Sequence, residues 1–207
     1  MKEIFKKFLR NFGHILSYLF PYKLYAEYAK IRKFIFSGYI KGQFKSVGKN
    51  FTVGFPLYMQ GGNYIVIGDN FTAFSRFWID AYDSYEGKIH QPQLVIGNNV
   101  SFNFDCHIGC INKVIIGNDI LVASKVYITD HFHGDIERNL TPPTKRPLVS
   151  KGPVIIEDNV WIGEAVVIMP NVTIGKNSII GANSVVTKSF PQNSLIAGVP
   201  AKLIRTL

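Results

Sequence analysis

A period of six residues limits what this chain can fold into more than any other feature. Ile156, Ile162, Ile168, Ile174, Ile180 and Val186 stand six residues apart, and Val160, Val166, Val172, Ser178 and Ser184 each follow one of the first five by four. Small residues recur behind them at Gly163, Gly175 and Gly181. A repeat this short cannot bury its own apolar face, so neighbouring repeats must stack into a solenoid. Six residues give one short strand and one corner, and three such units close a triangular coil. The aliphatic residue points inward onto its equivalent one coil away, and the small residue lets the chain turn.

The same register runs upstream. It gives inward triplets at Ile116, Val122 and Ile128, at Ile96, Phe102 and Ile108, at Ile67, Ala73 and Ile79, and more weakly at Val47, Val53 and Met59. The prediction is an all-β parallel helix of about six coils, roughly 29 Å long at a strand spacing of about 4.8 Å. Wherever the period breaks, the extra residues fall between the third hexad of one coil and the first of the next: two after 59, 11 after 79, two after 108 and 22 after 128. Insertions in a solenoid become loops on one face, commonly the binding face. The insertions at 80–95 and 129–155 are therefore expected to leave a single edge. Three segments follow: a helical stretch over 1–45, the coils over 46–190, and a tail over 191–207.

Charge sets the first segment apart. Of the formal net charge of +9, residues 1–45 supply +8, with ten Lys or Arg against Glu3 and Glu27. Ile4, Phe5, Phe8, Phe12, Ile15, Leu16 and Leu19 recur at helical spacing, Pro21 interrupts, and a second helix is expected over about 23–36. No run of about 18 apolar residues is present, and Arg10, Asn11, Gly13 and His14 stand where a signal peptide would be apolar. Two compatible roles fit: a cap over the open first coil, and peripheral attachment to an anionic membrane surface. Nucleic acid is not an expected partner, because no recognition motif accompanies the basic residues and the remainder of the chain is nearly neutral. Cys106 and Cys110 make neither a disulfide framework nor a zinc site. No metal is expected, and the chain reads as reduced and cytoplasmic, with peripheral contact at the inner face of the membrane as the variant.

Residues 154–205 include E-D-N-V-W-I-G-E, M-P-N-V-T-I-G, I-G-A-N-S-V-V-T-K and I-A-G-V-P-A-K-L-I-R. They resemble the C-terminal half of the galactoside and maltose acetyltransferases, which are hexapeptide-repeat acyltransferases. The resemblance runs over roughly residues 47–207 and implies a left-handed parallel β-helix, a homotrimer, and acetyl transfer from acetyl-CoA. Handedness comes from the resemblance alone, since parallel crossovers are generally right-handed. The basic N-terminal segment is similar to acetyltransferases of surface-polysaccharide biosynthesis.

Acyl transfer to a hydroxyl needs a base that takes the proton as oxygen attacks, and histidine has the fitting pKa. The longest insertion opens with I-T-D-H-F-H-G-D, residues 128–135. His131 stands three residues past the inward Ile128, where a strand gives way to a loop. In the galactoside enzymes a Thr-Gly-His at this point supplies the catalytic histidine, and Thr129-Asp130-His131 matches it with Asp130 in place of glycine. His131 is the expected general base. His133 either orients an acceptor or only solvates its loop. Asp130 or Asp135 could hold the imidazole tautomer, although an adjacent residue on an extended chain points the other way. By the same rule His107 should face outward, and His14 and His90 lie in no motif.

V-S-F-N-F-D, residues 100–105, resembles the sugar-contacting N-F-Y-A-N-F-N segment of the galactoside enzymes. Asn103 takes the position of the sugar-contacting Asn, and Asp105 that of the Asn following it. The carboxylate there implies a different acceptor. Asn103 could equally be a corner residue with left-handed backbone. The 80–92 loop brings Tyr82, Asp83, Tyr85 and Glu86, which suit a sugar ring or a plain surface. The expected acceptor contacts are thus Tyr82, Asp83, Asn103, Asp105, Asp130 and His133. For acetyl-CoA the resemblance implies a groove between subunits. Trp161 and Gly163-Glu164 match the W-I-G-S segment at the pantetheine arm, with Glu164 in place of a small residue, and Ala182, Thr187 and Lys188 match I-G-A and V-T-K. Lys188, Lys202 and Arg205 would pair with phosphates. No dinucleotide-binding glycine motif or P-loop appears. The expectation is an acetyl-CoA-dependent sugar O-acetyltransferase of capsule, O-antigen or exopolysaccharide assembly. The rivals are N-acetylation of an amino sugar, acetylation of an antibiotic, and a non-catalytic scaffold. His131 and the intact C-terminal motif weigh against the scaffold.

Overall fold

In the computed structural model, described for residues 3–134 and 141–207, the six-residue period becomes three main sheets that the chain visits in rotation. The first sheet takes Ser46–Val47, Ile65–Ile67, Gln93–Ile96, Lys113–Ile116, Val154–Ile156 and Val172–Ile174. The third has six strands from Leu57–Gln60 to Val185–Val186, and the second has eight from Thr52–Val53 to Ala201–Thr206. All pairings within these sheets are parallel except the last of the second sheet. Inward residues meet the partners the period predicts: Ile67 lies opposite Ile96, Ile96 opposite Ile116, Ile116 opposite Ile156, and Ile156 opposite Ile174. Their stacking makes one continuous column of buried side chains, which supplies the burial that no single coil could.

The three corners differ. At the first-to-second corner, Asn50, Asn70, Asn99, Asp119, Asn159, Asn177 and Asn193 all have φ between 54° and 60°. Asparagine tolerates this left-handed conformation better than most residues. The side chains also bond from coil to coil: Asn50 Nδ2 donates to Asn70 Oδ1 (2.8 Å), Asn70 to Asn99 (2.8 Å) and Asn99 to Asp119 (2.7 Å). All four insertions leave the third-to-first corner, among them the hairpins Ser84–Tyr85/Lys88–Ile89 and His131–His133/Leu148–Ser150.

The ends depart from expectation. α1 covers Glu3–Leu19, and α2 covers Tyr22–Lys41, five residues beyond the expected 36. The extension follows from packing. Phe36 and Ile40 lie against the core, and buried Ser37 accepts the Val53 N–H (2.9 Å) and donates to Val53 O (3.2 Å). α2 thus rests on the first coil, whereas no residue of α1 is buried. Among the described residues no helix is long and apolar enough to cross a membrane. At the other end the second sheet does not stop at the expected boundary of 190. Ser194–Gly198 continues it parallel to Ile179–Ile180, and Ala201–Thr206 folds back antiparallel. The two serines that replace valine in the hexads explain the docking. The hydroxyl of Ser178 accepts the Ser194 N–H (3.1 Å), and that of Ser184 accepts the Gly198 N–H (3.1 Å).

Candidate active site

The strand Tyr127–Thr129 of the third sheet ends where the longest insertion begins, and the chain turns into the hairpin strand His131–His133. That change of direction places Asp130 and His131 side by side. His131 Nδ1 lies 2.9 Å from Asp130 Oδ1, and both residues are buried. Asp130 is also clamped by backbone: the N–H groups of Ile111 (3.0 Å, to Oδ1), Asn112 (2.8 Å) and Lys113 (2.7 Å, both to Oδ2) converge on its carboxylate. Burial alone would raise the Asp130 carboxyl, but the bonds from His131 and from these N–H groups outweigh it and hold it below the usual carboxylate range. An ionised carboxylate only accepts hydrogen bonds, so Nδ1 carries the proton in this bond and Nε2 is the ring nitrogen not engaged by Asp130.

A slot of about 90 Å³ opens on His131, walled by Tyr82, Tyr85, His107, Tyr127, His133 and Leu148. It is smaller than the roughly 300 Å³ of a full ligand pocket. Tyr82 stands edge-on to the imidazole, with centroids 6.2 Å apart, and donates its hydroxyl to buried Asp80 (2.8 Å). Burial, reinforced by that bond, pushes the Tyr82 phenol well above its ordinary value. Tyr85 meets His133 edge-on at 5.5 Å. Gly109 backs the imidazole: a Cβ there would lie 3.0 Å from His131 Cε1. His107 does face outward, as expected, but within an aromatic column. Trp78 stacks on it at 4.7 Å and Tyr127 lies against it at 4.9 Å. Its Nε2 is 3.7 Å from Asp80 Oδ2, too far for a hydrogen bond.

The other predicted residues distribute as follows. Asp130, expected to touch the acceptor, is fully buried with both oxygens engaged, so it sits behind the imidazole rather than in front of it. Asp83 accepts a hydrogen bond from Tyr64 (3.0 Å) and lies outside the slot lining. Asn103 and Asp105 occupy the second-to-third corner instead of the edge that holds His131. The left-handed residue there is Asp105 (φ 60°), not Asn103. Asp105 is gripped by Arg76, whose Nη2 is 2.7 Å from Oδ2, and the ion pair holds its carboxyl below the usual range. Asp135 lies outside the described residues.

The expected coenzyme contacts also spread over more than one surface of the chain. Trp161 is half exposed on the outer face of the second sheet and shares a cleft of about 250 Å³ with Leu121, Ile179 and Leu207. Gly163 and Ala182 are stacked at the second-to-third corner, where a Cβ on Gly163 would lie 2.6 Å from the Ala182 nitrogen. Glu164 pairs with Lys125 at 3.3 Å. Thr187 and Lys188 follow the last strand of the third sheet, with Lys188 Nζ 5.7 Å from the Phe190 ring centre. Lys202 and Arg205 are exposed on Ala201–Thr206. The exposed indole and cations suit the apolar arm and the phosphates of coenzyme A respectively. Four features escaped the sequence reading: Gly109, Tyr127, Asp80 and the 111–113 cradle. Tyr127 was findable, because it pairs in register with His107.

Fold and site together define an acyl-transfer enzyme built on hexapeptide repeats. Residues 153–188 match the family described as bacterial transferase hexapeptide (six repeats). The chain is 40% identical over 159 residues to WbbJ of Escherichia coli (strain K12), a protein named for O-acetyl transfer in lipopolysaccharide biosynthesis; the match covers 74% of this chain and 77% of WbbJ. The chain belongs to the hexapeptide-repeat acyltransferases. Among solved structures it is similar to a maltose O-acetyltransferase from Clostridium difficile 630, with 30% identity, a TM-score of 0.53, and 81% of this chain and 72% of that one covered. A variant of AntD, an N-acyltransferase from Bacillus cereus in complex with dTDP-4-amino-4,6-dideoxyglucose and Coenzyme A, shares the fold, with a TM-score of 0.69 at 23% identity and coverage of 82% and 87%.

Proposed function

We propose that this chain transfers acetyl from acetyl-CoA to a sugar hydroxyl in the assembly of a surface polysaccharide. The observation that carries the reading is the buried Asp130–His131 pair, with Nδ1 engaged at 2.9 Å and Nε2 left as the basic atom beside the slot. His131 takes the hydroxyl proton as the acceptor oxygen attacks the thioester carbonyl. A backbone N–H stabilises the tetrahedral oxyanion. The carbon–sulfur bond then breaks, and the proton on Nε2 passes to the departing thiolate. Asp130 holds the tautomer and offsets the imidazolium charge. No acyl-enzyme is required.

The chain works, in this reading, as a homotrimer of left-handed helices with six coils each. Support for assembly comes from exposed Tyr58, Trp78, Leu121 and Trp161 on the outer faces, apolar surface that a neighbour would cover. A neighbour would also enlarge the slot and bring Asn103 and Asp105 of one subunit toward His131 of another. Trp161, Gly163 and Ala182 would line the pantetheine arm, with Lys188, Lys202 and Arg205 at the phosphates. The location is cytoplasmic, and residues 1–45 rest on the inner face of the membrane through the cationic, apolar-faced α1.

The test is thiol release from acetyl-CoA with a panel of sugars and amino sugars. Release with hydroxyl acceptors and none with amines is expected. Release with amines only, or with neither, would overturn the reading.

A further inference from the structure

A groove far from His131 in the fold has a composition that the acyl-transfer reading leaves unused. α2 turns Ala26, Ala29, Lys33, Phe36, Ser37 and Ile40 toward the coils. Five of these are small or apolar, or, like Ser37, satisfied by backbone. Lys33 is neither. It is half-buried, burial lowers its pKa, and no carboxylate among the described residues pairs with it. Its Nζ sits 5.1 Å from the centre of the Phe74 ring, and next to it the Arg32 guanidinium lies 5.3 Å from the centre of Phe55. Asp105, at the second-to-third corner, is already taken by Arg76. A cavity of about 180 Å³ lies between these groups, lined by Arg32, Lys33, Phe55, Phe74, Ser75 and Phe104 among others. Arg32 and Phe55 also border a second, wholly apolar groove of about 340 Å³ with Ile35, Phe36 and Tyr39.

An unpaired, partly desolvated cation is unfavourable without an anion beside it. A cationic cavity that shares Arg32 and Phe55 with an adjacent apolar groove has the form of an amphiphile. The neighbouring helix has the same character. In α1, Ile4, Phe5, Phe8, Leu9, Phe12, Ile15 and Leu19 are exposed. At 3.6 residues per turn they share one face, opposite Lys6, Lys7 and Arg10. The two acids of this region are spoken for, Glu3 by Lys6 (2.9 Å) and Glu27 by Lys30 (2.8 Å).

We infer that the groove under α2 binds the phosphate of an anionic phospholipid through Arg32 and Lys33, with an acyl chain along Ile35, Phe36, Tyr39 and Phe55, while α1 lies in the same bilayer. The inference rests on the membrane-contact reading above and gives it a specific ligand.

Two experiments on the full chain separate the two ideas. Calorimetric titration with monomeric dihexanoyl phosphatidylglycerol should show saturable binding, at least tenfold tighter than inorganic phosphate or dihexanoyl phosphatidylcholine. Arg32→Gln/Lys33→Gln should abolish it, and Lys7→Gln/Arg10→Gln, with the same loss of charge, should not. Equal affinity for inorganic phosphate would overturn the lipid assignment, as would retained lipid binding in the Arg32/Lys33 variant or the absence of saturable binding. A change of oligomeric state in that variant would assign the groove to a contact between copies and likewise sink the proposal. Vesicle flotation tests the underlying reading. Phe8→Asp/Phe12→Asp should release the protein from phosphatidylglycerol vesicles yet keep dihexanoyl-lipid binding. Both variants lose two charges, so bulk attraction weakens them alike, by roughly fivefold per charge; the Arg32/Lys33 variant should nonetheless float more weakly than Lys7→Gln/Arg10→Gln. If the wild type binds the short lipid but never floats, the groove stands and the attachment reading falls.

Discussion

In the proposed mechanism the chemistry turns on the neighbours of one imidazole. His131→Ala should lower turnover by roughly 10²–10⁴ while leaving acetyl-CoA affinity unchanged, as steady-state kinetics and calorimetry can establish. Asp130→Asn puts an amide where Nδ1–H and three backbone N–H groups now point. We expect a fall in kcat on the order of 10²–10⁴ with little change in KM, by analogy with the loss of a tautomer-holding carboxylate. The same variant has a pH signature. The folded carboxyl is depressed, so its stabilisation is complete above about pH 4, the unfolded value, and is lost as pH falls through the folded value. The gap in thermal stability between wild type and Asp130→Asn should therefore narrow below about pH 4. Gly109→Ala must displace the ring, because its Cβ would sit 3.0 Å from Cε1; a loss of turnover on the order of tenfold is expected with the melting temperature little altered. The place of His131 at the end of a third-sheet strand was legible in the chain, because a motif and the hexad spacing mark it. The orientation of Asp130 was not. Strand alternation predicts that adjacent residues diverge, and here the strand has already ended and the hairpin has begun.

Corners, more than strands, account for the regularity of the elements. The inward aliphatic positions could be read directly, since a period of six projects the same face at every step and the observed pairings keep that register. The asparagine ladder was equally present in the sequence, each member three residues past an inward position, yet aliphatic periodicity does not reveal it. It yields a comparative prediction. Asn99 combines a φ of 56° with bonds to both neighbours, accepting from Asn70 and donating to Asp119. Asn99→Gly loses the bonds alone, whereas Asn99→Ala adds the left-handed penalty of about 1–2 kcal/mol. Urea denaturation should rank alanine below glycine by about that amount. Equal stability of the two would mean that backbone strain is not what the asparagine relieves. The extent of the second sheet was hidden for a different reason. Residues 191–207 break the period, and their docking depends on two buried serine hydroxyls that read as weak hexad positions.

For the whole molecule, the proposed function calls for assembly. A mass of three chains by light scattering is expected, together with loss of activity on dilution below the dissociation concentration. A fully active monomer would exclude a site shared between subunits. The placement of the insertions carries a separate consequence. Because all four insertions depart from the same corner, the spine and that margin are mechanically uncoupled. One excursion can be lengthened, shortened or exchanged without shifting the pitch of the coils above or below it. A lineage, or an engineer, could retarget such a catalyst through the 80–92 excursion alone, leaving in place the 111–113 backbone and the His131–His133 hairpin that seat the imidazole.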